Sequence, residues 1–310
     1  MKDKKIIVAV KYCGGDLNPF DGAALECALA SGCEHITAVT MAPPGTVEKL
    51  SQLTRLGVRA VLLTDPAYAG ADTLATAKTL AAFIKKEKPD FVFCGRQSVD
   101  GDTAQVPPCL SVLLGFEIVP SVMKIAGNTV CLRNGNKSQL TGGQVVTFER
   151  MATLRFPSIR SKCSPVEIIG NDVLQLTAGE CGQKGSPTRV IQSFENVSGR
   201  RKCTFILPSE LDKVIAESLQ KERKTPAAYS GPKLKKVFYI GNVRMETERI
   251  AECAEEIPTA GKSAEGIARE IKERGAKIVL WSDEPLMRVL APQVAGFLDA
   301  GLCADCTGLE

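Results

Sequence analysis

The stretch Gly95 to Val106, GRQSVDGDTAQV, gathers residue types that can hold a small anionic ligand without bond chemistry. Gly95 and Gly101 permit close backbone approach, and Asp102, Thr103 and the amides after them open a candidate helix over Asp102–Leu114. Free amides at a helix start carry partial positive charge, which suits phosphate oxygens. The same residues also read as an Asp or Thr cap closing an ordinary turn. Asp100 and Asp102 are better placed to bond backbone amides or ribose, or to cap the helix, than to act as a catalytic carboxylate pair. The single histidine, His35, lies just before a strand, and no Ser/His/Asp or Cys/His assembly can be built on it. The expectation is a binding protein with no catalytic residue of its own.

Other classes are excluded by composition. The 39 basic and 35 acidic residues leave a net charge of +4 without a long basic block, so no footprint for nucleic acid or an anionic membrane stands out. The 12 cysteines are scattered through apolar segments, which reads as reduced core thiols of a cytoplasmic protein. Cys303 and Cys306 form one CxxC, but a zinc site needs further ligands, and a structural turn is the simpler reading. No metal is expected. No apolar run approaches the roughly 20 residues of a membrane span, and MKDKKIIVAV reads as a lysine-flanked strand.

The anionic-ligand loop must be positioned by the elements around it. It follows Phe91–Cys94 (FVFC), the fourth of a series of short apolar runs that also includes Lys5–Val10, His35–Met41 and Ala60–Thr64. Helical patterns lie between them at Asp21–Ser31, with Asp21 as cap candidate, Gly45–Leu56 and Thr73–Lys86. This order implies right-handed crossovers and an α/β fold with a mostly parallel, doubly wound sheet. Ligands of such sheets bind beyond the carboxyl ends of the strands. Asn18-Pro19-Phe20-Asp21 after the first strand and Met41-Ala42-Pro43-Pro44 after the second therefore converge with the 95–106 loop on one edge.

Further along, Thr129–Leu132, Gln144–Phe148 and Thr153–Arg155 read as antiparallel strands added to that sheet. Residues 156–200 read as an extended, irregular arm, and Arg200-Arg201-Lys202 as a solvated turn. Pro208–Arg223 has a clean helical period, with Ser209 as N-cap and Leu211, Val214, Ile215 and Leu219 on one face. Lys224–Lys236 reads as a linker, and the tail offers two strands, Val237–Ile240 and Lys277–Trp281, too few for an independent core. Trp281 reads as packing. The tail is expected to lean on the first domain or another chain. An internal repeat relates VFCGRQSVDGDTAQVPPCLSVLLGFE to VLWSDEPLMRVLAPQVAGFLDAGLCA, each a strand, a polar loop and a proline-bearing helix. The domains read as 1–205, an arm and linker at 206–236, and a smaller α/β segment at 237–310.

GRQSVDGDTAQV resembles the adenine-nucleotide loop of electron transfer flavoprotein beta subunits. VAVK at 8–11 with NPFD at 18–21 is similar to the amino-terminal signature of that family, and LRFPSIRSKCSPVEII and KGSPTRVI to its carboxyl-terminal arm. Residues 205–223 resemble the helix-bearing segment that contacts the partner dehydrogenase. The resemblance covers residues 1–223. It implies a Rossmann-like fold, akin to the adenine nucleotide alpha-hydrolases, holding AMP or, in electron-bifurcating members, a second FAD. The ligand contacts it implies are Ala9, Asn18, Pro19, Phe20, Asp21, Met41, Gly95, Arg96, Gln97, Ser98, Val99, Asp100, Gly101, Asp102, Thr103, Ala104, Gln105 and Val106. It also implies a heterodimer with an alpha-type subunit carrying the electron-transferring FAD, and an acyl-CoA dehydrogenase-like flavoenzyme as electron donor. LAPQVAGFLDAGLCADCTGLE is similar to the end of the amino-terminal domain of the alpha subunit. Two departures stand out: only YCGGDL separates the first strand from NPFD, where the family carries a longer segment, and Pro107 replaces a common glycine. A stand-alone adenine-nucleotide-binding or assembly protein without electron transfer is the alternative. An ATP-hydrolysing enzyme is disfavoured because no SGGxDS-type loop follows the first strand.

Overall fold

A computed structural model of the chain describes residues 1–191, 205–220, 229 and 231–306. Arg200-Arg201-Lys202 and, of the linker, residues 224–228 and 230 lie outside these residues.

β1 (Lys5–Ala9) is followed by a minimal hairpin, β2 (Tyr12–Cys13) and β3 (Asp16–Leu17), and by α1 (Pro19–Ala30). Gly14 (φ +59°) and Gly15 (φ +103°) both take the positive φ that a two-residue hairpin turn demands. YCGGDL is thus a complete, if short, hairpin. There follow β4 (His35–Met41), α2 (Val47–Thr54), β5 (Arg59–Leu63), α3 (Thr73–Glu87), β6 (Phe91–Gly95) and α4 (Val106–Leu114). Next come β7 (Glu117–Ala126), β8 (Thr129–Leu132), β9 (Lys137–Gln139), β10 (Gln144–Phe148), β11 (Glu167–Ile169) and α5 (Asn171–Leu174).

Nine of these strands form one sheet in the order β11-β5-β4-β1-β6-β10-β7-β8-β9, parallel from β11 to β7. Strand period sets its two cores. Ile6, Val8, Phe91 and Phe93 face α1 and α2, while Ile7, Val92 and Cys94 face α3 and α4. The α/β, doubly wound reading holds. The strand order reverses between β1 and β6, because β4 and β5 lie on one side of β1 and β10 and β7 on the other.

Three sequence expectations need correction. Gln144–Phe148 is not an antiparallel addition: it inserts between β6 and β7, parallel to both, and all five residues are buried. Within this sheet the antiparallel additions are β8, paired with β7, and β9, paired with β8. Thr153–Arg155 forms no strand. Arg155 instead forks onto Glu26 of α1, with Nη2 2.6 Å from Oε1. The arm is not wholly irregular, since β11 pairs parallel with the outer edge of β5.

α6 (Leu211–Gln220) follows a short 3-10 turn over Pro208–Glu210, so Ser209 lies inside that turn rather than capping the helix. The tail contains a third strand: β12 (Leu234–Ile240), α7 (Arg244–Ile250), β13 (Ala251–Glu256), α8 (Ala264–Glu273), β14 (Val279–Trp281) and α9 (Met287–Leu298). β12 is central, with β13 and β14 parallel on either side. β12 begins at Leu234, inside the stretch read as linker.

The tail does lean on the larger unit, and through repeat-related elements. α9 packs on α4, with Gln293 Nε2 donating to Ser111 Oγ (3.0 Å) and Cys109 Sγ to the Pro292 carbonyl (3.4 Å). Gly296 of α9 faces Val112 of α4, where a methyl would make ordinary van der Waals contact with Val112 Cγ1 at 3.5 Å. Among the described residues no helix is long and apolar enough to cross a membrane.

Candidate functional site

The carboxyl edge at the β1/β6 reversal is bound together by one buried side chain. Asp21 lies in the first turn of α1, whose Asn18 holds the N-cap position and whose Pro19 opens the helix. Asp21 is therefore not the cap. Its Oδ2 accepts from the Lys11 amide beyond β1 (2.8 Å) and its Oδ1 from the Gly95 amide at the end of β6 (3.0 Å). Both oxygens are thus engaged in spanning the place where the two strands part, and the carboxylate positions the edge. Burial pushes the Asp21 carboxyl up to about 7, against the opposing pull of Asn18, the Lys11 and Gly95 amides and the Lys11 charge. Asn18 donates from Nδ2 to the Gln97 carbonyl (2.8 Å), tying the first loop to the third. Its Oδ1 is buried and, among the described residues, without a partner. Lys11 Nζ reaches Asp100 Oδ2 at 2.7 Å. Burial opposes the charge of Asp100, but Lys11 and Ser98 hold its carboxyl below the usual range.

The 95–106 loop departs from the expected helix. α4 begins at Val106, not Asp102. Pro107 and Pro108 follow immediately, so two of the amides that a helix start would ordinarily present are missing. The Asp102 amide is also used, donating to the Ser98 carbonyl at 2.9 Å. What remains is a loop solution: Asp102 (φ +49°) and Ala104 (φ +54°) flank Thr103 in left-handed backbone, which non-glycine residues adopt only when their surroundings hold them there. Among the described residues, no acceptor takes the amides of Thr103, Ala104, Gln105 or Val106. Successive amides around left-handed residues form anion-binding concavities, and this donor set fits a phosphate.

Two cavities open at the carboxyl edge of the sheet. One, about 560 Å³, lies beyond β4 and β5 and is lined by Met41–Pro44, Leu63–Pro66 and Tyr68–Ala71, chiefly apolar with Tyr68 and Asp65. The other, about 580 Å³, lies beyond β6, β10 and β7 and is lined by Phe20, Arg96, Gln97, Val99, Asp102, Met123, Arg133, Glu149, Arg150 and Met151. Buried Glu149 takes Arg96 Nε at 3.1 Å and Arg133 Nη1 at 3.5 Å. The guanidinium groups of Arg96 and Arg150 stand 5.5 and 5.7 Å from the Phe20 ring centroid. Three arginines against Glu149 and Asp102 leave this cavity net positive.

The edge thus gathers the expected residues unevenly. Asn18, Asp21, Gly95 and Gln97 are joined by hydrogen bonds. Phe20, Arg96, Gln97, Val99 and Asp102 line one cavity, and Met41 lines the other. Ser98, Asp100 and Gly101 shape the loop from within. Two groups escaped the sequence reading. Leu63–Ala71 follows β5 and could have been found by the strand-end rule that located the other loops. Glu149–Met151 follows β10, and reading that strand as antiparallel sent its carboxyl end to the wrong edge. His35 is exposed at the start of β4, Cys303 and Cys306 are exposed, and Trp281 ends β14 half-buried. Among the described residues no group of His, Cys, Asp or Glu could hold a metal ion.

Residues 6–152 match the model of the electron transfer flavoprotein domain family. The electron transfer flavoprotein subunit beta of Clostridium acetobutylicum is 35% identical over 241 residues, 72% of this chain and 87% of that protein. Protein FixA of Azorhizobium caulinodans is 32% identical over 67% of this chain and 84% of its own length. The caffeyl-CoA reductase-Etf complex subunit CarD of Acetobacterium woodii is 35% identical over 57% of this chain and 75% of its own. Together with the mostly parallel sheet, these similarities establish that the chain belongs to the electron transfer flavoprotein family, on its beta-subunit side.

Proposed function

We propose that the chain is an electron-transfer subunit that binds one adenine nucleotide, AMP or FAD, at the β1/β6 edge and works beside an alpha-type subunit bearing the electron-carrying FAD. The four unpartnered amides from Thr103 to Val106 carry this reading. They would hold phosphoryl oxygens, while the apolar cavity at Met41 and Tyr68 has the character an adenine base needs. The arginine-lined cavity supports FAD over AMP, because it offers a positive, aromatic-floored space to the longer ligand. A bound flavin supplies the one-electron chemistry, and the chain's own residues bind, orient and shield it.

Purified protein, denatured and analysed by chromatography, should release AMP or FAD in near-equal amount with chain. Added nucleotide at about a hundred times its Kd should stabilise the stripped protein by about 2.7 kcal/mol, read as a raised Tm. Absence of both release and stabilisation would sink the nucleotide reading. Release without any electron uptake alongside an alpha-type subunit would instead favour the stand-alone binding protein.

The dehydrogenase partner is assigned to α6. Leu211, Val214, Ile215 and Leu219 of this helix are exposed, as is Phe205 before it. An apolar stripe left in water is a docking face in the helix-in-groove manner. The change Ile215→Asp is expected to slow electron uptake from an acyl-CoA dehydrogenase about tenfold or more while leaving nucleotide content intact. Unchanged rates would remove α6 from the partner interface.

A further inference from the structure

Gln105 ends the nucleotide-type loop and is 4% exposed. Its backbone carbonyl accepts from the Cys109 amide (3.1 Å), starting the first turn of α4. Its side chain reaches in two directions. Oε1 accepts from Thr73 Oγ1 at the start of α3 (2.6 Å), and Nε2 donates to the carbonyl of Leu302, in the tail, at 3.1 Å. Leu302 is held by its neighbour. A Cβ on Gly301 would stand 2.7 Å from Thr188 Cγ2 and 3.3 Å from the Pro187 carbonyl oxygen, so the glycine lies flat on the arm. Thr188 in turn donates to Asp72 Oδ2 from its amide (3.0 Å) and its hydroxyl (2.7 Å). Asp72 caps α3 through the Ala75 amide at 2.9 Å. Loop, helix start, arm and tail therefore close one circuit around Gln105, made of hydrogen bonds and of the van der Waals contact of Gly301 with Thr188.

We propose that the tail is an intramolecular latch for the nucleotide site: Leu302, seated by Gly301 on Thr188, fixes Gln105 and through it the amides of Thr103 to Val106. Gln105 is a positioning residue here. The inference rests on the nucleotide reading above and adds that affinity is set in part from a segment far outside the loop. The physical need for a latch comes from the loop's own backbone. Left-handed Asp102 and Ala104 hold their conformation only while the surroundings over-determine it, and a buried amide donor deprived of its acceptor turns toward water. Without the Leu302 carbonyl, Gln105 swings out and the backbone that carries these amides loses its support. Pre-organisation of this kind shows directly in affinity.

The test is calorimetric titration of the full chain, stripped of nucleotide, with AMP and with FAD. Gly301→Ala should weaken the nucleotide that wild type binds by about tenfold, equivalent to 1.4 kcal/mol. Adding Thr188→Ser removes the methyl that the new Cβ strikes while keeping the hydroxyl bond to Asp72, and should restore affinity to within about twofold. If Gly301→Ala does not fold, Gln105→Glu carries the same test, because it keeps the acceptor for Thr73 and removes the donor to Leu302. Equal affinities in wild type and Gly301→Ala overturn the latch, as does a loss that Thr188→Ser leaves unrepaired. Failure of wild type to bind either nucleotide is a different result, which removes the site itself and the latch with it.

Discussion

Gly95→Ala is expected to destabilise the protein by about 2–6 kcal/mol and to abolish nucleotide retention. A Cβ at this position would stand 2.7 Å from Phe20 Cβ and 2.8 Å from the Asp21 amide nitrogen, and would also press on Asp21 Oδ1. All three atoms belong to Phe20 and Asp21 in the first turn of α1, whose backbone cannot yield without lifting the helix from the sheet. Overpacking a rigid core costs about 1–3 kcal/mol, and loss of the buried bond from the Gly95 amide to the Asp21 carboxylate adds about 1–3 kcal/mol. Displacing Phe20 also removes the ring beneath Arg96 and Arg150. Gly101→Ala is the control from the same loop, because its Cβ would meet only Ser98 Oγ at 3.5 Å. Urea unfolding of both variants checks the contrast: similar, small losses for the two would mean that close approach of α1 to β6 is not what requires glycine at 95.

Much of the fold was readable because the sheet is built from runs that have a single physical interpretation. KIIVA, HITAVTM, RAVLL and FVFCG are short, apolar and separated by amphipathic helices, and only a parallel, doubly covered sheet buries such runs on both faces. QVVTF carried the same signal of continuous burial, yet the Gly-Gly and Asn-Gly turns before it read as hairpin punctuation. Asn134-Gly135 does turn the β8–β9 hairpin, but Gly142-Gly143 lies just before β10 and leads the chain back into the gap between β6 and β7, a long-range choice that no local pattern records. β13 was missed for the opposite reason. AECAEE has the composition of an exposed helix, and it is a strand because β12 offers it an edge. At the site, the loop was found by its glycines and its place after β6, whereas its geometry was misjudged. In the sequence Pro107 stands out only as the replacement of a common glycine, whereas the missing amides of Pro107 and Pro108 shift the donors back into the loop at Thr103 to Val106.

The stability contributed by Asp21 should fall as pH rises through neutrality, opposite to the behaviour of an ordinary ion-paired carboxylate. In the unfolded chain the group ionises near 3.8, while burial raises the folded value to about 7. Between these values the folded state holds a proton that the unfolded state has released, so rising pH favours unfolding across the window, and above it the full penalty of the buried charge is present. A rise from 3.8 to about 7 corresponds to about 4 kcal/mol, of which about 2–3 kcal/mol falls between pH 5 and pH 8. Asp21→Asn never ionises. It keeps one acceptor for the Lys11 or Gly95 amide and turns an NH2 toward the other, a fixed cost of about 1–3 kcal/mol at every pH. The stability gap between wild type and Asp21→Asn should therefore narrow by about 2–3 kcal/mol from pH 5 to pH 8, measured by urea unfolding at each pH. A gap that stays constant would show a carboxylate charged throughout, with its two amide bonds outweighing burial. A narrowing gap would show that the brace between β1 and β6 changes protonation near neutral pH, at the strand ends from which the 95–106 loop springs.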